Sequence, residues 1–169
     1  QSRDKCGKSA LHYTVGQGHV STVSLLLERG VDVNVTDIDG RSALFGAVRS
    51  GNKAIVEILL KHKADVSIED EEGWSVLHMA AFHGHVEVGE ALIEAGTPIS
   101  EGPEGILPLH IAALRRHIRF IEFLLDHGAN ALAETESGAN ALHFLELNEA
   151  YQAEAVARRL NIDIHNVTI

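Results

Sequence analysis

Apolar positions along this chain fall into short stripes separated by polar turns. Between residues 53 and 61, Ile55, Val56, Leu59 and Leu60 stand at i, i+1, i+4 and i+5, which makes one face of a short α-helix. The run from Ser75 to His83 reads as another short helix, with Ala80 and Ala81 as small apolar positions. This patterning is copied along the chain. Gly7, Gly40, Gly73, Gly105 and Gly138 recur at spacings of 33, 33, 32 and 33, and each stands four residues before a leucine: Leu11, Leu44, Leu77, Leu109 and Leu142. A period of this length predicts one supersecondary unit, repeated and stacked, rather than a single wound core.

Cutting three residues before each glycine gives units 4–36, 37–69, 70–101, 102–134 and 135–167 within one domain spanning 1–169. Asp4, Asp37 and Asp70, each three residues before its glycine, make turn sequences. Ser9, Ser42 and Ser75 precede the apolar run and suit a helix N-cap. Gly18, Gly51 and Gly84 end the first helix of their units, and Gly30, Gly96 and Gly128 end the second. Neither helix can bury its stripe alone, so each unit must stack on the next, and small residues such as Ala80, Ala81, Ala112 and Ala113 let first helices approach closely.

These residues carry a resemblance. Stretches such as DEEGWSVLHMAAFHGH (residues 70–85) and LLERGVDVN (residues 26–34) resemble the ankyrin repeat, and the match runs in register through essentially the whole chain. It implies an all-α solenoid of helix-turn-helix units joined by β-hairpin-like loops. The departures are local. The 32-residue interval falls in the loop between Gly96 and Gly105, where a deletion is tolerated. Pro108 alone keeps the proline usual at the first helical position, Arg116 replaces an interhelix glycine, and Lys63 replaces the glycine after a second helix. Glu149 replaces another, and Gln152, Glu154, Arg158 and Arg159 dress the last helix with polar groups, which suits a terminal cap. The first unit lacks such dressing, and the chain opens Gln1-Ser2-Arg3; it is read as a piece of a longer protein in which more repeats precede it.

Composition narrows the functions. Lys plus Arg number 14 against 24 Asp plus Glu, a formal charge of −10, so nonspecific nucleic-acid binding is not expected. Cys6 is the single cysteine, which excludes an internal disulfide framework and fits a reducing compartment. No apolar run approaches the roughly 18 residues of a membrane span. The expected location is intracellular, in the cytoplasm or nucleus, and the fragment is expected to be a monomer.

Eleven histidines invite a metal reading, with His78, His83 and His85 as the tempting zinc set. His12, His78, His110 and His143 share one repeat position, and His19, His85 and His117 share another. The resemblance implies that the first column ties adjacent loops through backbone hydrogen bonds. Phe45 interrupts it, so the second unit is expected to lack one tie. Successive equivalents lie about one repeat-width apart, too far to converge on one ion. No nucleophile–base pair and no complete phosphate loop is present; GKS at 7–9 lacks the upstream glycine. No enzyme activity, metal or cofactor is expected.

The resemblance implies a protein-recognition module, part of a larger protein, that binds a partner through loop tips and the exposed face of the first helices. By position it names Arg41, Arg49, Glu71, Glu72, Trp74, Phe82, His83, Glu104, Ile106, Leu114 and Arg115. The expectation is an apolar groove across units three and four, with a basic end and an acidic rim. The alternative is an intramolecular spacer or regulatory clamp for an enzyme or channel domain elsewhere in the parent chain. The stretch ending at Asn34 also resembles the substrate pattern of the asparaginyl hydroxylase that modifies ankyrin loops in animals, which makes Asn34 a candidate hydroxylation site; the other reading is an asparagine bonded within its own turn.

Overall fold

A computed structural model describes residues 2–146. Among them, eight helices form four pairs: α1 (Ala10–Gly16) with α2 (Val20–Glu28), α3 (Ala43–Ser50) with α4 (Lys53–Lys61), α5 (Val76–His83) with α6 (Val86–Glu94), and α7 (Pro108–Leu114) with α8 (Ile118–Asp126). A ninth, α9 (Ala141–Glu146), opens the fifth unit. Glu149, Gln152, Glu154, Arg158 and Arg159, which carry the cap expectation, lie outside the described residues.

The first helices of successive units stack in one row and the second helices in another. The first row packs more densely, because fully buried Ala47, Ala80, Ala81, Ala112 and Ala113 keep no bulk between neighbours. Closer approach in the first row than in the second favours a bend toward the first helices, the face here called inner. One continuous apolar core runs from Leu11 and Val15 in α1 to Leu142 and Leu145 in α9.

The aspartates build the loop tips. Asp37 Oδ1 accepts from the backbone N–H of Asp39 and Arg41, both at 3.0 Å, and Asp70 Oδ1 from Glu72 and Trp74 at 3.1 and 2.9 Å. Four tips close with an isolated antiparallel bridge: Arg3 with Ser9, Thr36 with Ser42, Glu69 with Ser75, and Glu134 with Asn140. The shortened fourth tip closes instead through a 3-10 turn at Pro103–Gly105, with Glu104 at φ 53°. Neighbouring tips then zip together: Ile38 N–H donates to Cys6 O, Glu71 N–H to Asp39 O and Glu136 N–H to Glu104 O, at 3.1, 3.0 and 3.0 Å.

Two histidine columns hold the units in register. His12 Nε2–H donates to Arg41 O at 3.0 Å, His78 Nε2–H to Ile106 O at 2.9 Å and His110 Nε2–H to Ala133 O at 2.8 Å. A carbonyl can only accept, so each ring carries its proton on Nε2 and leaves Nδ1 as acceptor. Ser9 and Ser75 hydroxyls fill that acceptor at 2.9 and 2.8 Å. In the second unit Phe45 replaces the imidazole, and Ser42 Oγ is left buried with no hydrogen-bond partner among the described residues. The second column reaches backward: His85 Nε2–H donates to Arg49 O at 3.2 Å and His117 Nε2–H to Phe82 O at 3.0 Å. These rings lie over Gly51 and Gly84, where an added Cβ would meet them at 2.6 and 2.7 Å.

Where glycine is missing from the helix ends, the backbone keeps the same left-handed shape. Lys63 adopts φ 64° and Arg116 φ 61°. Each costs about 1–2 kcal/mol for an L-residue, offset by the stacked helices on both sides of the turn.

Three outcomes follow. Leu92, fully buried in α6 between α4 and α8, should lose about 2–5 kcal/mol on change to Ala, read as a lower urea midpoint. Ser42→Ala should leave stability unchanged or raised, whereas Ser75→Ala should lower it by roughly 1 kcal/mol, since only Ser75 has its partner. Burial holds the His78 and His110 imidazoles below the usual 6.5, the nearby carbonyls of Ile106 and Ala133 opposing it. The unfolded chain then binds protons first, so stability is fully present above 6.5 and is lost as pH falls through that value toward the lower native pKa. Melting temperature should drop on acidification below 6.5, with a shallower slope in the His78→Gln, His110→Gln double variant.

Candidate partner-binding face

The dense row of first helices and the zipped tips form the inner face of the array. A groove of about 440 Å³ opens there, lined by Arg41, Arg49, Asp70, Glu72, Trp74, His78, Met79, Phe82, His83 and Ile111. It lies on units two and three, with Ile111 of unit four as its far wall. Trp74, Phe82, His83, Arg41, Arg49 and Glu72 of the expected set come together in it, whereas Ile106 and Glu104 line a separate depression of about 340 Å³ with Thr135, Glu136, Ser137 and Phe144.

Each named residue has a definite setting. Trp74 is half-buried; its indole N–H donates to Glu72 Oε2 at 3.1 Å, and its ring meets the His78 ring edge-on at 5.2 Å. Phe82 is 41% exposed, and the Arg115 guanidinium sits 4.3 Å above its ring. A cation over an aromatic face is drawn to the ring quadrupole, which orients Arg115 along the groove mouth. Leu114 stays 43% exposed on the same helix row. Glu71 is exposed at its tip, with its backbone committed to Asp39.

Arg41 differs from the other cations. Its Nε and Nη2 both donate to Asp70 Oδ2, at 3.0 and 2.7 Å, and the Asp70 side chain is almost wholly buried. That hydrogen bond raises the Arg41 pKa above its ordinary value, burial opposing it. Its charge therefore joins unit two to unit three and is largely spent before any partner arrives. Arg49, exposed in the last turn of α3, has no ion pair among the described residues. His83 stacks on His85 at 5.7 Å, ring planes 13° apart. Burial pushes its pKa down, and His85, Arg115, Arg49 and His117 push it further. Arg49 and Arg115 make the helix-end side of the groove cationic, and their charges help hold His83 toward its neutral form.

The sequence reading missed Met79 and Ile111. Both follow a first-column histidine, the position also held by Tyr13, Gly46 and Phe144. All five line a depression on this face. The register contained that column, but a residue next to a buried histidine on a short helix does not announce which side it faces.

The tempting zinc set is otherwise engaged. Both His78 nitrogens are taken, by Ser75 and Ile106 O, and His83 and His85 are stacked on each other. Among the described residues no group of three His, Cys, Asp or Glu converges on a common point. No helix among them is long and apolar enough to cross a membrane. Asn34 lies exposed between units one and two; its amide donates to Lys63 O at 3.3 Å and accepts from Asp65 N–H at 2.8 Å. It bonds across to the neighbouring loop, while its own backbone N–H donates to Asp32 Oδ1 at 2.9 Å.

A family model for ankyrin repeats matches the chain in three overlapping copies, over residues 1–70, 58–135 and 77–158. No curated protein matches it. The repeats of this family are generally protein–protein interaction modules. From the helix pairs, the zipped tips and a match reaching from residue 1 to residue 158, the chain belongs to the ankyrin-repeat family.

Proposed function

We propose that this array is a noncatalytic recognition module, part of a larger protein, that holds a protein partner against its inner face. The observation that supports this most is Phe82. A large aromatic ring stands 41% exposed at the mouth of a groove floored by Trp74, Met79 and Ile111, with an arginine stacked on it. Aromatic and arginine side chains at a concave centre are the groups whose truncation most often costs binding. The named residues around it act as rim: Arg49, His83 and Arg115 on one side, Glu71 and Glu72 on the other.

The chain's single tryptophan lines this groove, so its emission reports occupancy directly. Peptides selected against the protein from a random-sequence display library should change Trp74 fluorescence on binding. Phe82→Ala should weaken them by roughly tenfold or more while leaving the helical circular dichroism intact. Selected binders that neither perturb Trp74 nor respond to Phe82→Ala would place recognition elsewhere and sink the proposal. Asn34, exposed in its loop, is proposed as a hydroxylation site on its pattern alone. Native protein showing no added oxygen on the 26–34 peptide by mass spectrometry would remove it.

A further inference from the structure

The first helices run across the inner face, from the tips to the opposite edge, and that direction sorts its charges. Glu71 and Glu72 precede α5, whereas His83 is its last residue. Glu104 precedes α7 in the same way, and Arg115 follows it. Eight residues at about 1.5 Å each leave about 12 Å of helix between the two ends of α5. That exceeds the roughly 8 Å over which exposed charges act in physiological salt. The carboxylates at the tips therefore keep their charge without cancelling the guanidinium groups at the helix ends.

At the helix-end edge one side chain is left unfinished. His83 is half-buried and lines the groove, yet neither ring nitrogen has a hydrogen-bond partner among the described residues. The column histidines differ: His85 and His117 spend Nε2–H on carbonyls at 3.2 and 3.0 Å. Packing places the His83 ring instead, stacked on His85 at 5.7 Å and edge-on to Phe82 at 5.1 Å. Around it stand Arg49 from α3, His85 from the turn into α6, Arg115 from the end of α7 and His117 from the start of α8. Glu87, in the first turn of α6, is exposed, and no carboxylate among the described residues pairs with His83. Burial and these neighbours hold the free imidazole below its usual 6.5. A carboxylate set among them would accept an N–H from His83, face both guanidinium groups and reverse that bias.

Resting on the recognition reading above, we infer that the helix-end edge of the groove is a subsite for a carboxylate. Its occupant is an Asp or Glu side chain of the partner, next to the apolar residue that meets Phe82. The carboxylate accepts from His83, which takes up a proton from solvent as the partner binds. Arg49 and Arg115 flank the resulting pair.

Histidine-free peptides selected from the random-sequence display library at mildly acidic pH test this. Those that shift Trp74 emission and depend on Phe82 should carry Asp or Glu beside an apolar residue. Their binding should weaken about fivefold from about pH 6 to about pH 8, a range over which the peptide carboxylate stays ionised. Exchanging the peptide's acid for its amide, or His83→Gln in the protein, should remove most of that pH dependence. Arg49→Gln should weaken the acidic peptide about threefold at either pH and leave the amide peptide unchanged. His83→Gln should keep the helical circular dichroism, since the ring has no hydrogen bond to lose among the described residues. Peptides that need Phe82 and Trp74 but carry no acid, or whose acid becomes an amide without loss, would overturn the carboxylate subsite and leave the groove reading standing. A pH dependence unchanged in His83→Gln would overturn proton uptake at that ring. A library that yields no Trp74-responsive peptide overturns both readings.

Discussion

No unit of this chain can close its own core, and that constraint organises the rest. Each helix pair has one apolar stripe and only seven to nine residues per complete helix, too few for a helix to persist without tertiary contacts. Burial comes from the neighbour, so what matters is how firmly neighbours are aligned. Three sets of ties do this between units: zipped tip backbones, histidines reaching forward to carbonyls, and histidines reaching backward over glycines. The forward histidine bonds join partly buried groups, and the backward ones lie at exposed positions. Their geometric effect exceeds their modest net energies, because a tie left half-made strands a buried polar atom. Ser42 shows that state: with Phe45 in place of the imidazole, its hydroxyl has lost the partner that Ser9 and Ser75 keep.

The same ties decide which side chains remain for recognition. Arg41 is removed from the cationic set because Asp70 is buried and takes its guanidinium. The second histidine column draws the ends of α3 and α5 toward the following unit, with Arg49 O and Phe82 O as acceptors. That places the side chains of Arg49 and Phe82 along one edge, where Arg115 joins them. The charge pattern on the inner face is thus a remainder, left after the structural pairs are formed. Arg49 and Arg115 at the helix ends and Glu71, Glu72, Glu104 and Glu136 at the tips survive that subtraction, on a chain whose net charge is strongly negative.

Positions that depart from the repeat show how far stacking overrides local preference. Lys63 and Arg116 hold left-handed backbone that glycine would adopt without strain, and Glu104 does so in the shortened tip. The cost of about 1–2 kcal/mol at each is tolerable because helices on either side pin the turn. At Gly51 and Gly84 the demand is different: a histidine ring from the next unit occupies the space where a Cβ would stand. The tip around Gly102, where one residue is missing, loses its bridge but keeps its bond to the next tip through Glu104 O.

The helices, their ends, the histidine columns and the missing tie at Phe45 were legible in the residues, because each follows from a local rule repeated at a fixed period. Turn aspartates, N-cap serines and left-handed glycines act within a few residues of themselves, and the period then lines them up. The candidate face was legible only in part. Register showed that Trp74, Phe82, Arg49 and Ile106 belong to exposed columns, but it could not show which columns of neighbouring units open into the same groove. That depends on how far each unit is shifted and turned against the next, and on which charges are consumed on the way. So only the tertiary structure could separate Ile106 from Trp74, bring in Met79 and Ile111, and spend Arg41 on Asp70. A period carries the identity of every unit, whereas a binding surface is made from the offsets between them.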